Sequence, residues 1–236
     1  MRLPVVRRSP TAYDADFADR MARAYVDRTP WTELRLAAVA DLVDPHPGDR
    51  ILDLGCAAGA VTHFVSTFGA EPVGVDSSPE AIEAATRLFP ELDFRLADVT
   101  ELPFEDTSFD KAVAADLAEH LADADLDRML AETARVLLPG GTVSVYTPNS
   151  EHLIERLKSR NLILAENPTH IGLRPAGALE DAFARAGFVV EISAWRRSHL
   201  RVLRSVERLA GPRLSLFRYR LCLRGRLRGA ATMDGE

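Results

Sequence analysis

A chain of 236 residues, 47% apolar and 27% charged, is long enough to bury a core and has the size of one α/β domain with modest additions. No apolar run reaches the length of a membrane span, and the opening MRLPVVRRSP has neither the apolar segment nor the cleavage site of a secretory signal; two cysteines, Cys56 and Cys222, make neither a disulfide framework nor a zinc site. The expected setting is a reducing cytoplasm, and the net charge of −6 divides unevenly: Arg196–Arg228 holds eleven arginines and one acid, Glu207, so that stretch carries +10 and the rest −16. The favoured reading of the stretch is arginine stems laid over apolar surface, ahead of a phosphate or membrane contact.

In chain order, 11–28 and 31–43 read as helices parted by Thr29-Pro30, and DPHPGD as a turn into a first strand, RILDLG. AVTHFVSTFG is a helix closed by Gly69, EPVGVD a second strand, and SPEAIEAATRLFP a helix with a serine cap and a proline in its first turn. DFRLAD and DKAVAAD are the third and fourth strands; DADLDRMLAETARVLL is an amphipathic helix that Pro139-Gly140-Gly141 should stop, before a fifth strand TVSVYTPN. Residues 150–172 look irregular around a short helix EHLIERLKS. AGALEDAFARAG then gives a helix, FVVEISAWR a sixth strand, SHLRVLRSVERLAG a helix and LSLFRYRLCLRG a seventh strand. The helix over 199–209 lacks the apolar face of a membrane anchor. This alternation predicts an α/β fold, a Rossmann-like doubly wound, mostly parallel seven-stranded sheet with an N-terminal helical cap. The expected organisation is a cap over 1–46 and a ligand-binding catalytic domain over 47–236, with an inserted loop around 150–175.

In such sheets the ligand lies outside the carboxyl ends of the strands. That places Asp53, Asp76, Asp98, Asp116 and 147–149 near it. Gly55 and Gly59, with Ala57 and Ala58 between, let the backbone pass close under a guest. There is no Walker lysine, and the dinucleotide fingerprint fails at Ala57 and Ala60. An acid two residues before the first glycine repels a pyrophosphate and suits an ammonium or sulfonium.

LDLGCAAG, VGVDSSPEAIEAA, ADVTELPFEDTSFDKAVAADLAEHL and ARVLLPGGTVSVYTPN, in that order, resemble the successive motifs of class I S-adenosylmethionine-dependent methyltransferases over roughly residues 30 to 195. One departure is Ala57, where the family most often has glycine. The resemblance implies S-adenosylmethionine as cofactor. Asp53 would then anchor the methionine ammonium, with Gly55, Cys56 and Gly59 against the methionine part and ribose. Asp76, followed by Ser77, would accept the ribose hydroxyls, Asp98 the adenine amine, and Val99 would lie beside the ring; Asp116 completes the expected cofactor set.

DLAEH sets Asp116, Glu119 and His120 at i, i+3 and i+4, one face if the stretch is helical, and His170 lies in the loop NPTHIGLRP. This pattern is similar to that of ubiquinone-type O-methyltransferases and small-RNA 3′-terminal ribose methyltransferases, some of which bind a divalent ion there. Asp116 stands where glutamate is usual. Three readings follow: Glu119, His120 and His170, with Asp116, hold a divalent cation such as magnesium; His120 or His170 is a plain general base; or Glu119 and His120 cap the next helix while His170 fixes its loop. The third is the simplest.

The expected function is methyl transfer to a small-molecule acceptor, at a hydroxyl oxygen ahead of nitrogen or carbon. An RNA 3′-end acceptor is disfavoured by the acidic helix Asp123–Glu132 and by the scarcity of aromatic residues, 7% of the chain. A nucleotide-binding oxidoreductase and a cofactor-holding domain without catalysis are the readings from other classes. Tyr13, Tyr25, Trp31 and Tyr146 are candidates to line the acceptor pocket. Neither the acceptor's identity nor the oligomeric state is legible.

Overall fold

The computed structural model describes residues 23, 25, 29–158, 169–197 and 201–229. The elements in order are α1 (Pro30–Val43), β1 (Arg50–Leu54), α2 (Ala60–Ser66), β2 (Glu71–Asp76), α3 (Pro79–Leu88), β3 (Asp93–Leu96), β4 (Phe109–Ala115), α4 (Asp123–Val136), β5 (Leu137–Pro148), α5 (Leu153–Lys158), α6 (Ala176–Arg185), β6 (Phe188–Arg196), α7 (Arg201–Ala210) and β7 (Arg220–Leu227). The expected helix over 11–28, and Tyr13 within it, lie outside the described residues apart from Arg23 and Tyr25, both in helical backbone.

The seven strands form one sheet in the order β3-β2-β1-β4-β5-β7-β6. Pairings are parallel from β3 to β5, while β7 runs antiparallel between β5 and β6. The doubly wound seven-stranded sheet read from the alternation is therefore the one observed. Successive side chains on a strand face opposite layers, and the core divides accordingly. Leu52, Leu54, Ala112, Ala114, Val143 and Val145 pack with Leu126, Met129 and Leu130 of α4 and Leu179 and Phe183 of α6. Ile51, Val113, Ala115 and Tyr146 pack on the other side with Leu36, Val39 and Val43 of α1 and Val61 and Val65 of α2. Asp53, out of phase with Leu52 and Leu54, faces this second layer.

Two strand boundaries differ from expectation. Pro139-Gly140-Gly141 does not separate helix from strand: β5 already begins at Leu137, which pairs with Phe109, and the register slips between Phe109 and Lys111 to absorb the extra residues. Leucine at 214 does not open the last strand either. Ser215–Phe217 closes a single 3₁₀ turn, and pairing starts at Arg220 opposite Pro148. A buried contact between His152 Nε2 and Glu207 Oε1, 3.3 Å apart, ties α7 to the segment after β5. Among the described residues no helix is long and apolar enough to cross a membrane.

Candidate functional site

The chain leaves β1 through a turn with three residues in the left-handed region: Gly55 (φ 69°), Ala57 (φ 48°) and Gly59 (φ 81°). Both Gly55 N–H and Cys56 N–H donate to the Val75 carbonyl at 2.8 and 2.9 Å, which clamps the turn to the tip of β2. A Cβ at Gly55 would come within 2.9 Å of Leu117 Cδ1, and one at Gly59 within 2.7 Å of Phe94 Cζ, so neither position has room for a side chain. Ala57 fits, at the cost that left-handed backbone imposes on an L-residue.

Two carboxylates brace this turn. Asp53 is 2% exposed and accepts a hydrogen bond from Thr62 Oγ1 at 2.6 Å. Burial pushes its carboxyl up to about 6. Asp76 accepts from the Ala57 N–H at 3.0 Å and the Ser78 N–H at 2.9 Å, and burial raises it too. Ser77 is exposed beside it, and Cys56 is buried with its thiol held well above the usual range by desolvation. At the tip of β3, Asp98 accepts from Thr100 N–H and Oγ1 at 2.9 and 2.8 Å, next to buried Val99. All of the residues expected to hold the cofactor except Asp116 thus lie on or beside three neighbouring strand tips.

Asp116 stands at the tip of β4, beside β1, but is engaged by other partners. It too is left-handed (φ 58°), its N–H donating to the Tyr146 carbonyl at 2.7 Å. Its carboxylate takes Arg35 Nε on one oxygen and Arg220 Nη1 on the other, both at 2.6 Å. Burial alone would raise this carboxyl, but the guanidiniums of Arg220 and Arg35 outweigh it and hold it below the usual range. The helical face expected for Asp116, Glu119 and His120 does not form, because only Ala118–His120 makes a 3₁₀ turn and Asp116 lies before it in left-handed backbone. Asp116 is therefore absent from the group of potential metal ligands and is an ion-pair partner instead.

Glu119, His120 and His170 do converge, each offering a ligand atom within 4.8 Å of the others. Glu119 is 2% exposed; its Oε2 accepts from Thr147 Oγ1 at 2.9 Å, and burial, with the Asp116 charge, pushes its carboxyl up to about 8. His120 Nδ1 lies 3.0 Å from the Thr169 carbonyl, an acceptor only, so Nδ1 carries the proton and Nε2 is the basic nitrogen. The two imidazoles meet edge to face at 4.9 Å. Burial lowers both, His170 to about 4 with a further contribution from His120, so both are neutral at pH 7.

A residue the motif reading missed assembles this cluster. Arg174, nearly buried, donates to the carbonyls of Ala118, Gly172 and Leu121 at 2.8, 2.6 and 2.7 Å and binds Asp123 at 2.7 Å. It pins the turn that carries Glu119 and His120 to the loop that carries His170. The Gly172 N–H adds a bond to the Glu119 carbonyl at 2.9 Å. Of the pocket-lining candidates, Tyr146 lies under Arg220, Trp31 is half-buried, and Tyr25 bonds His63 and packs on Phe89, beside α2 and α3. Two clefts, at the foot of the sheet by Lys111 and Arg224 and between α4 and α6 by Arg185, are lined by none of the expected site residues.

Residues 51–141 match a family described as a methyltransferase domain. The chain is 32% identical over 121 residues to the chloroplastic tocopherol O-methyltransferase of Arabidopsis thaliana, covering 48% of this chain and 34% of that protein. It is 35% identical over 109 residues to a ubiquinone biosynthesis O-methyltransferase of Mesorhizobium japonicum, covering 44% and 43%. The chain spans about half or less of the length of the curated relatives it matches. Among solved structures, a methyltransferase from Aquifex aeolicus superposes with a TM-score of 0.64 at 14% identity over 91% of this chain and 99% of that one. The cyclase SpnF superposes at 0.62 with 21% identity over 95% and 86%. Residues 51–141 thus resemble a methyltransferase domain, set in a sheet order and fold shared with solved methyltransferases.

Proposed function

We propose that this protein transfers the methyl group of S-adenosylmethionine to an oxygen of a small-molecule acceptor. The observation that carries the reading is the glycine turn, where left-handed backbone at Gly55, Ala57 and Gly59 lies between buried Asp53 and half-buried Asp76 at adjacent strand tips. Such a cradle fits a nucleoside with a cationic amino-acid tail. Asp53 would hold the ammonium, with Gly55, Cys56 and Gly59 beside the chain and ribose. Asp76 would accept the ribose hydroxyls alongside Ser77, and Asp98 and Val99 would meet the adenine. Oxygen as the accepting atom is supported by the O-methyltransferases among the relatives, and by neutral imidazoles at the mouth able to take a hydroxyl proton. His120 and His170 are the catalytic candidates of this reading. The cap over 1–46 and the loop around 150–175 would shape the acceptor pocket. The fold alone would not decide the chemistry, since it is shared with a cyclase.

A metal-assisted variant draws support from the convergence of Glu119, His120 and His170. One carboxylate and two neutral imidazoles, one of them oriented through its second nitrogen by a carbonyl, are a fitting set for a divalent ion. The imidazoles favour zinc, iron or manganese over magnesium. Such an ion would acidify the acceptor hydroxyl, and Glu119 would lose its proton on binding it. Equilibrium dialysis against zinc or manganese tests this apart from activity: stoichiometric uptake, lost in His170→Ala, supports it, and no uptake refutes it.

The methyl-transfer reading is tested by isothermal titration with S-adenosylhomocysteine and with NAD⁺. Binding of the former alone is expected. A flat trace with S-adenosylhomocysteine refutes the reading, and binding of NAD⁺ instead would move the chain to the oxidoreductases.

A further inference from the structure

We propose that the methyl acceptor is an acid, a small planar molecule whose carboxylate or ionised hydroxyl lies against the guanidinium of Arg220; this names the substrate class of the methyl-transfer reading above and rests on it. Arg220 opens β7 and pairs with Pro148 at the end of β5, so it stands at the carboxyl edge of the sheet, the same edge as the glycine turn and Asp116. Its Nη1 binds Asp116, but that carboxylate is shared: its second oxygen is taken by Arg35 from α1. Two guanidiniums thus divide a single carboxylate between them.

The other nearby carboxyl does not make up the difference. Glu119 Oε1 stays 3.9 Å from Arg220 Nη1, outside hydrogen-bond range, while Oε2 is occupied by Thr147. Arg220 Nε is buried and has no hydrogen-bond partner among the described residues. A guanidinium presents its N–H donors in one rigid plane, and a buried donor left unpaired carries a full desolvation cost. A ligand oxygen in that plane removes the cost, and a charged oxygen does so best because the surroundings already hold an excess of cationic donors.

The flanks of the guanidinium indicate the shape of that ligand. Its carbon lies 5.6 Å from the Tyr146 ring centroid and 5.2 Å from that of Tyr219. Aromatic walls beside a planar cation suit a flat, conjugated acid. The imidazoles of His120 and His170 share the Glu119 cluster next to Arg220, so an acid held here would sit beside the groups assigned to proton removal.

The test uses the full chain loaded with S-adenosylhomocysteine. Benzoate, 4-hydroxybenzoate and indole-3-carboxylate are titrated calorimetrically, each beside its neutral primary amide. At least one acid is expected to bind about 10- to 100-fold more tightly than its amide, the range of a charge-assisted hydrogen bond. Arg220→Gln is expected to reduce that preference to about threefold or less, and Arg220→Lys, which keeps the charge but loses Nε, to retain part of it. S-adenosylhomocysteine affinity and the melting curve report folding in each variant. If the loaded protein binds none of the acids, or binds acids and amides alike, the proposal is overturned while the methyl-transfer reading stands. The same holds if Arg220→Gln keeps both its cofactor affinity and the acid preference, which would leave Nε to a bound water. Failure to bind S-adenosylhomocysteine at all would instead overturn the underlying reading.

Discussion

Glu119 gives the sharpest prediction, because a carboxyl shut into the sheet edge must leave a signature in the pH dependence of stability. Its ordinary value is 4.5 and its value in the fold about 8, raised by burial and by the Asp116 charge. The folded protein therefore holds a proton that the unfolded chain releases above pH 4.5. By linkage the stabilisation is fully present below that pH, fades as the pH rises, and is gone above about pH 8. At about 1.36 kcal/mol per unit, the whole interval is worth about 5 kcal/mol, and the accessible part from pH 5.5 to 8 about 3 kcal/mol. Glu119→Gln keeps the shape and the acceptor for Thr147 but cannot ionise. The stability of Glu119→Gln relative to the parent should climb by about 3 kcal/mol across that window, or about 6–12 °C in melting temperature for a chain of this size. Asp53 titrates in both proteins and cancels. Urea unfolding at half-unit steps reads the difference directly. Parallel curves for the two proteins would show that Glu119 is ionised in the fold and would refute the reasoning.

Asp53→Asn should weaken S-adenosylhomocysteine binding by about 10- to 100-fold by calorimetry. Because burial holds the Asp53 carboxyl near 6, the parent's affinity should rise from pH 5 to 7 as the carboxylate forms, and the variant's should stay flat. Ala57→Gly relieves the left-handed backbone at a cost in unfolded-chain entropy, so a net gain of about 0.5–1 kcal/mol is expected in urea unfolding. Arg174→Ala strands three carbonyls, while exposed Asp123 is left to solvent; a loss of about 3–5 kcal/mol is expected from the unpaired acceptors, and a loss below about 1 kcal/mol would show that the clamp is dispensable.

The glycine turn and strand-tip acids proposed to hold the cofactor were legible in the sequence because their determinants are local. A strand, an aspartate, a glycine turn and a helix follow one another within fifteen residues, and the next two strands repeat the pattern of an acid at the tip. The cluster proposed to face the acceptor depends on residues brought together from far apart. Arg35 reaches Asp116 across 81 positions and Arg220 across 104, and nothing in the spacing of DLAEH announces either. The helical reading of that stretch failed because Asp116 turns left-handed before the 3₁₀ turn begins. Pro139-Gly140-Gly141 misled for a related reason: such residues mark the end of a helix, yet here they form the irregular start of β5, whose register slip only pairing with β4 reveals. Arg174 had no signature, since an arginine serving backbone carbonyls can sit in any sequence.

The position of β7 has a consequence for biogenesis. Among the described residues, strand β6 pairs with β7 alone, and β7 fills the gap beside β5. A nascent chain that has not yet delivered residues 220–227 to the sheet therefore leaves the edge of β5 open and β6 unattached, and it also lacks Arg220. Completion of the sheet and arrival of Arg220 are one event, and a chain that has not yet placed residues 220–227 has neither.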